Sequence, residues 1–211
     1  MFINGEQADG IRDKAVKLVT GVLDFARGDL VYQDVCKGYQ PGFGTSCTFL
    51  PHWMLLQLGV SAKNQSLGVG KHPKPRGLIN RADIARGTTL VPGDGVSVIA
   101  NSPAFVKMKP NLNAYPLPGD IVVIQSEPYN QSHEHVFVFL GKLSDTVWDT
   151  GESGQARSDA QNGVTEGKRK KRDMRISARS MIAAAADGKP DRKVQGWLDI
   201  SKLDYMDGSV P

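Results

Sequence analysis

The helical and the extended patterns of this chain lie in different halves, and that segregation limits the folds open to it. Residues 9 to 27 repeat apolar side chains at helical spacing, through Ile11, Ala15, Leu18, Val22 and Phe25, with Asp9 placed to cap the start and Gly28 to stop the end. A second apolar helix runs from about Cys47 to Leu58 and closes at Gly59. From residue 117 onward, short runs of β-branched and aromatic residues alternate with turn residues. Leu117-Pro118-Gly119-Asp120 leads into a strand at 121 to 124, and a strand at 135 to 140 stops at Gly141. Residues 146 to 149, 174 to 177 and 194 to 200 read as further strands, and 180 to 186 as a short helix. Helices first and strands afterwards predict an α+β fold with an antiparallel sheet.

The 211 residues suffice for a single domain, 1–211, around one core. Within it, a stretch of about 60–116 reads as an insertion. It is rich in Lys, Pro, Gly and Asn and holds one strand-like run, at 96 to 99, after Pro92-Gly93-Asp94. The second Pro-Gly-Asp, at 118 to 120, is turn-into-strand chemistry and not an internal repeat. No apolar run approaches the roughly 20 residues that span a bilayer, so no membrane insertion is expected. Residues 1 to 10 lack the basic start and apolar centre of a secretory signal, which implies synthesis in the cytoplasm. The net charge of +4 favours anionic surfaces but is too small to imply nucleic-acid binding. Two cysteines, Cys36 and Cys47, cannot build the disulfide scaffold of a small secreted protein.

Hydrolysis of an amide by cysteine needs a thiolate, a base that later protonates the leaving amine, and donors for the oxyanion. A helix start supplies partial positive charge, which lowers a thiol pKa, and unpaired N–H groups. Cys47 sits at such a start, behind the glycines of Gly38-Tyr39-Gln40-Pro41-Gly42-Phe43-Gly44 and the capping residues Thr45 and Ser46. Leu50, Trp53, Met54 and Leu58 supply the buried face. A lone cysteine there is more often a small buried hydrophobe. His135 changes that weighing, because it opens an apolar strand after a polar loop, from which an imidazole can lean toward a helix. Cysteine on a helix followed by histidine on a strand is the papain-like arrangement.

Three ordered segments carry a resemblance to a known family. Gly44-Thr45-Ser46-Cys47-Thr48-Phe49-Leu50, ending at Leu58-Gly59, resembles the nucleophile helix of the NlpC-type cell-wall peptidases and their CHAP relatives. Leu117-Pro118-Gly119-Asp120-Ile121-Val122-Val123 is similar to their Pro-Gly-Asp strand start. His135-Val136-Phe137-Val138-Phe139-Leu140-Gly141 is similar to their histidine strand. Together they cover about a fifth of the chain. The resemblance implies a papain-like fold, the nucleophile helix packed on an antiparallel sheet, with Cys47 as nucleophile and His135 as base. It also implies a polar residue on the next strand to orient the imidazole. Asp149 fits that position, with Glu152 in reserve, and Tyr39 resembles an additional oxyanion donor. Thr48 and Phe49 depart from the family's small Ser-Gly pair. Pro51 cannot donate to the Cys47 carbonyl, and the 60–116 stretch is longer than the usual connection.

The activity implied is cleavage of an amide bond in the peptide part of peptidoglycan, with no metal or other cofactor. An exported antibacterial effector, such as a type VI secretion toxin, fits the small single domain without a signal. Its partners would be an immunity protein and a secretion-machine component, and its site of action the periplasm or cell wall of a target cell. The alternative is a protease, deamidase or acyltransferase acting on an intracellular protein. A binding protein that has lost catalysis is disfavoured by Cys47, His135 and Asp149 occurring together. His133 is the rival base, and a metal site from His133, Glu134 and His135 lacks ligand spacing on a regular element. His52 points away from Cys47, and His72 lies in a Lys/Pro loop. The basic run at 168 to 172 reads as a solvated hairpin or loop, and Trp148 and Trp197 read as core. Iodoacetamide should alkylate Cys47 faster than Cys36 near neutral pH, and non-reducing mass mapping should find no stable bridge between them.

Overall fold

A computed structural model describes residues 5–23, 30–31, 47, 49–60, 104–109, 114–126, 135–153, 166–177, 179–184 and 190–205. The elements are α1 (Gly5–Val22), β1 (Leu30–Val31), α2 (Phe49–Gln57), β2 (Phe105–Lys107), β3 (Ile121–Ser126) and β4 (His135–Ser144). They continue with β5 (Val147–Glu152), β6 (Glu166–Ile176), β7 (Met181–Ala183), β8 (Arg192–Leu198) and a 3₁₀ turn, Ile200–Lys202. The expected Gly28 stop, the 38 to 46 loop and most of the 60–116 stretch lie outside the described residues, as do Cys36, His72 and His133.

The expected α+β papain-like fold, with the nucleophile helix packed on an antiparallel sheet, is overturned. Strands β3 to β8 pair antiparallel in sequence order, and β8 returns to pair with β3, closing a six-stranded barrel. Closure depends on β7. Its three residues bridge Met174 to Ile176 of β6 and Arg192 and Lys193 of β8, where the sequence pattern had pointed to a helix. Ladder shifts at Val123/Ile124 and Phe139/Gly141 supply the local bending that a closed sheet needs. Outside the ring, β2 pairs with β8 and β1 with β6. Among the described residues only α1 is a long helix; α2 has nine residues.

Alternation along the strands sorts the side chains into two cores. Val122, Ile124, Phe137, Phe139, Trp148, Met174, Met181, Val194 and Trp197 fill the barrel lumen, with Phe139 edge-on to Trp148 at 4.9 Å. Ile121, Val123, Val136, Val138, Leu140 and Leu198 face outward, where Ile11, Ala15, Val19 and Leu23 of the α1 segment and Leu50, Met54, Leu55 and Leu58 around α2 cover them. Burial on both faces explains why β3 and β4 read as unbroken apolar runs. The buried stripe of α1 follows a spacing of four, so Val19 and Leu23 sit at its centre and Leu18 and Val22 at its margin.

A buried ion cluster fixes α1 against the barrel. Arg12 Nη1 donates to Asp120 Oδ1 at 2.7 Å, and its Nη2 donates to Asp199 Oδ1 at 2.6 Å. Asp120 also accepts from Leu117 N at 2.8 Å and from Ile200 N at 3.1 Å. Pro118 and Gly119 form a type II turn into β3, with the Asp120 amide donating to Leu117 O and Gly119 at φ 91°. A Cβ at Gly119 would also crowd Ile200 and Ala15, and one at Gly151 would overlap Val19, so both glycines permit the close approach of α1. Burial pushes the Asp120 carboxyl up to about 6 despite the favourable Arg12 charge. The folded value lies above the unfolded one, so this group's contribution is fully present below the unfolded pKa and is lost as pH rises through about 6. Arg12→Ala should therefore cost about 3–5 kcal/mol in urea unfolding, with a larger deficit at about pH 7.5 than at about pH 5.

Candidate active site

One end of the barrel gathers the polar groups that the lumen otherwise excludes. The end of β3, the start of β4, the end of β5, the early part of β6 and the start of β8 meet there, through the pairs Ile124↔His135, Phe137↔Glu152, Glu152↔Lys168 and Ser126↔Arg192. His135 shares the lumen face with Phe137 and Phe139, and Glu152 shares it with Thr150 and Trp148. Both His135 and Glu152 are buried.

Glu152 is the centre of this end. Its Oε2 lies 2.8 Å from His135 Nε2. Arg172 grips the carboxylate from its Nε and Nη2 at 2.8–3.0 Å, and Thr150 Oγ1 donates to Oε1 at 2.7 Å. Lys170 Nζ stands 3.5 Å from Oε2. Burial works to raise the Glu152 pKa, but Arg172, His135 and Lys170 together hold it well below the usual carboxylate range. An ionised carboxylate at Nε2 makes that nitrogen the N–H of a neutral imidazole and leaves Nδ1 as the base. Burial, opposed by Glu152, lowers the His135 pKa, which keeps the ring neutral near pH 7. Among the described residues, the ring's hydrogen bond is to Glu152, and none joins it to Cys47.

Cys47 reaches the same end through the residue after Glu152. Ser153 Oγ donates to Cys47 O at 3.0 Å and accepts from Leu50 N at 3.1 Å. That serine therefore caps α2 from another element and consumes one of its free amides, so Leu50 N is not an oxyanion donor. Cys47 itself precedes α2 in a 3₁₀ position and is buried, with no disulfide among the described residues. The later helix start removes the conflict posed by Pro51, which falls in the first turn, where its missing N–H has no intrahelical partner to lose.

The expected orienting residue, Asp149, is not at the imidazole. On a strand, 149 and 152 point to opposite faces, and Asp149 pairs instead with Arg169 outside the lumen, at 2.6 Å from Nη2. Glu152 holds the histidine. The basic run at 168 to 172 is likewise not a solvated loop. It is the first half of β6, and its alternate residues Lys170 and Arg172 turn inward to the Glu152 carboxylate, while Arg172 also lies 5.1 Å over the Phe137 ring. The period-two spacing of 168, 170 and 172, ending on Met174, was the available signal. Arg192 was not singled out by sequence either, although its charge interacts with His135, Glu152, Arg172 and Cys47. No cluster of metal-ligating side chains occurs among the described residues.

No family model, no curated protein and no solved structure matches this chain. The charge network can be checked without any substrate, by following the His135 imidazole through a pH titration with NMR. Glu152→Gln should lower the His135 pKa further, because its attraction for the imidazolium is gone. Arg172→Gln should raise it, because a repelling cation is gone.

Proposed function

We propose that this protein is a cysteine hydrolase that cleaves an amide bond in the peptide part of peptidoglycan, with Cys47 as nucleophile, His135 as base and Glu152 as the group that orients the imidazole. The observation that carries this reading is the 2.8 Å contact between His135 Nε2 and Glu152, which leaves Nδ1 unprotonated at the barrel end where Ser153 holds Cys47. In the first half-reaction Nδ1 takes the thiol proton, and the sulfur bonds to the amide carbonyl carbon. The tetrahedral species then collapses as the imidazolium returns that proton to the nitrogen and the C–N bond breaks. Water, deprotonated by the same Nδ1, attacks the thioester, releases the carboxylic acid and restores the thiol.

The choice of polymer rests on the likeness of the three segments around Cys47, Asp120 and His135 to the cell-wall peptidases. It is supported by the excess of cations at the barrel end, which suits a polymer rich in carboxylates. A protease, deamidase or acyltransferase with an intracellular protein target would use the same three groups. Mass spectrometry of purified peptidoglycan should show new peptide fragments with wild-type protein and none with Cys47→Ala. His135→Ala should lower the rate by about 10²–10⁴-fold, Glu152→Ala should impair it, and Asp149→Asn should leave it near wild type. Expression in a bacterial periplasm behind an export signal should cause lysis that depends on Cys47. Cys47-dependent toxicity in the cytoplasm, with unaltered peptidoglycan, would transfer the assignment to an intracellular target.

A further inference from the structure

We propose that Arg192 is the anion anchor of this site, binding a free carboxylate that the substrate carries close to the scissile amide. The inference deepens the hydrolase reading and rests on Cys47 as its reacting group. Arg192 opens β8 opposite Ser126 of β3 and Ala183 of β7, so it stands on the lumen side of the barrel mouth, beside the Glu152 network. It is half-buried. Arg12, Arg169, Arg172 and Arg175 each meet a carboxylate. Arg192 does not: among the described residues its guanidinium has no ion pair and no side-chain hydrogen bond.

The charge balance of the mouth makes that vacancy consequential. Among the described residues, Arg172, Lys170 and Arg192 face one carboxylate, Glu152, while His135 is neutral. Arg172 and Lys170 are already committed to Glu152, which leaves Arg192 as the cation with donors to spare. Half-burial makes its isolation costly, and a carboxylate from outside would remove that cost through two parallel charge-assisted hydrogen bonds.

The probe is a pair of acetyl-dialanine peptides, one with a free C-terminal carboxylate and one with a C-terminal carboxamide. Binding is read from the His135 imidazole signals by NMR, so it does not require turnover. The free acid should bind wild-type protein about 10- to 100-fold more tightly than the amide. Arg192→Gln should abolish that preference, and Arg192→Lys, which keeps a charge without the bidentate fork, should retain part of it. Equal binding of the two peptides, or a preference that survives in both variants, would overturn the anchor. So would tighter binding of inorganic phosphate than of either peptide. If cleavage depends on Cys47 while acid and amide bind alike, the anchor falls and the hydrolase reading stands. If no amide is cleaved but an acid preference requires Arg192, the anion site stands and the hydrolase reading falls.

Discussion

A carboxylate placed in an apolar interior has to be given donors or it will not stay charged, and Asp120 organises the fold around that requirement. Its two oxygens take Arg12 from α1, the Leu117 amide from the turn before β3 and the Ile200 amide from the segment after β8. Three distant stretches of chain are thereby brought to one point, beside the seam where β3 and β8 complete the ring. The position of α1 then follows, because Gly119 and Gly151 leave room for its backbone and for Val19. Helix α2 packs into the same outer core as α1, and the strand end that carries Ser153 receives Cys47. A carboxylate remote from the candidate site thereby helps to set the placement of Cys47 and Ser153.

The lumen is divided along its length. Phe137, Phe139, Trp148 and Trp197 plug its middle, and among the described residues Glu152, Lys170 and Arg172 gather at one mouth. Low polarity below and protein on several sides strengthen each interaction at that mouth, which is why a single glutamate can stay ionised there with Arg172, Lys170, Thr150 and His135 around it. The Trp148 indole N–H is the one buried side-chain donor without a partner among the described residues, and it lies within the apolar plug. A small lumen packed with large rings has few acceptors to offer it.

Much of this was legible in the chain, and the failures share a cause. The strands β3, β4 and β8 were readable because both of their faces are apolar or nearly so, and Cys47 and His135 were noticed because each adjoins such a run. Strand β5 was cut short at Asp149, since Thr150-Gly151-Glu152 carries no apolar side chain, although Gly151 is small for the sake of α1 and Glu152 points into the lumen. The first half of strand β6, ahead of Met174, was missed for the same reason. Hydropathy registers apolar alternation, and here the inward partners at 170 and 172 are cations whose shared counter-charge, Glu152, lies on another strand. Strand β7 is Ala-rich and short enough to read as helix. Closure of the barrel rests on those two strands, so an open sheet was the natural expectation.

Glu152 and Ser153 are neighbours in the chain, yet one faces the imidazole and the other the cysteine segment. A single peptide bond separates the group that contacts the imidazole from the group that contacts the Cys47 carbonyl. The two contacts are thus phased by the pleat itself, and neither can drift without the other. Insertion or deletion of a single residue before position 152 would exchange the faces. The acid would turn out toward Val19 and Leu50, and the hydroxyl would turn in toward Arg172. The length of this strand is therefore constrained as tightly as the identities of Gly151 and Glu152.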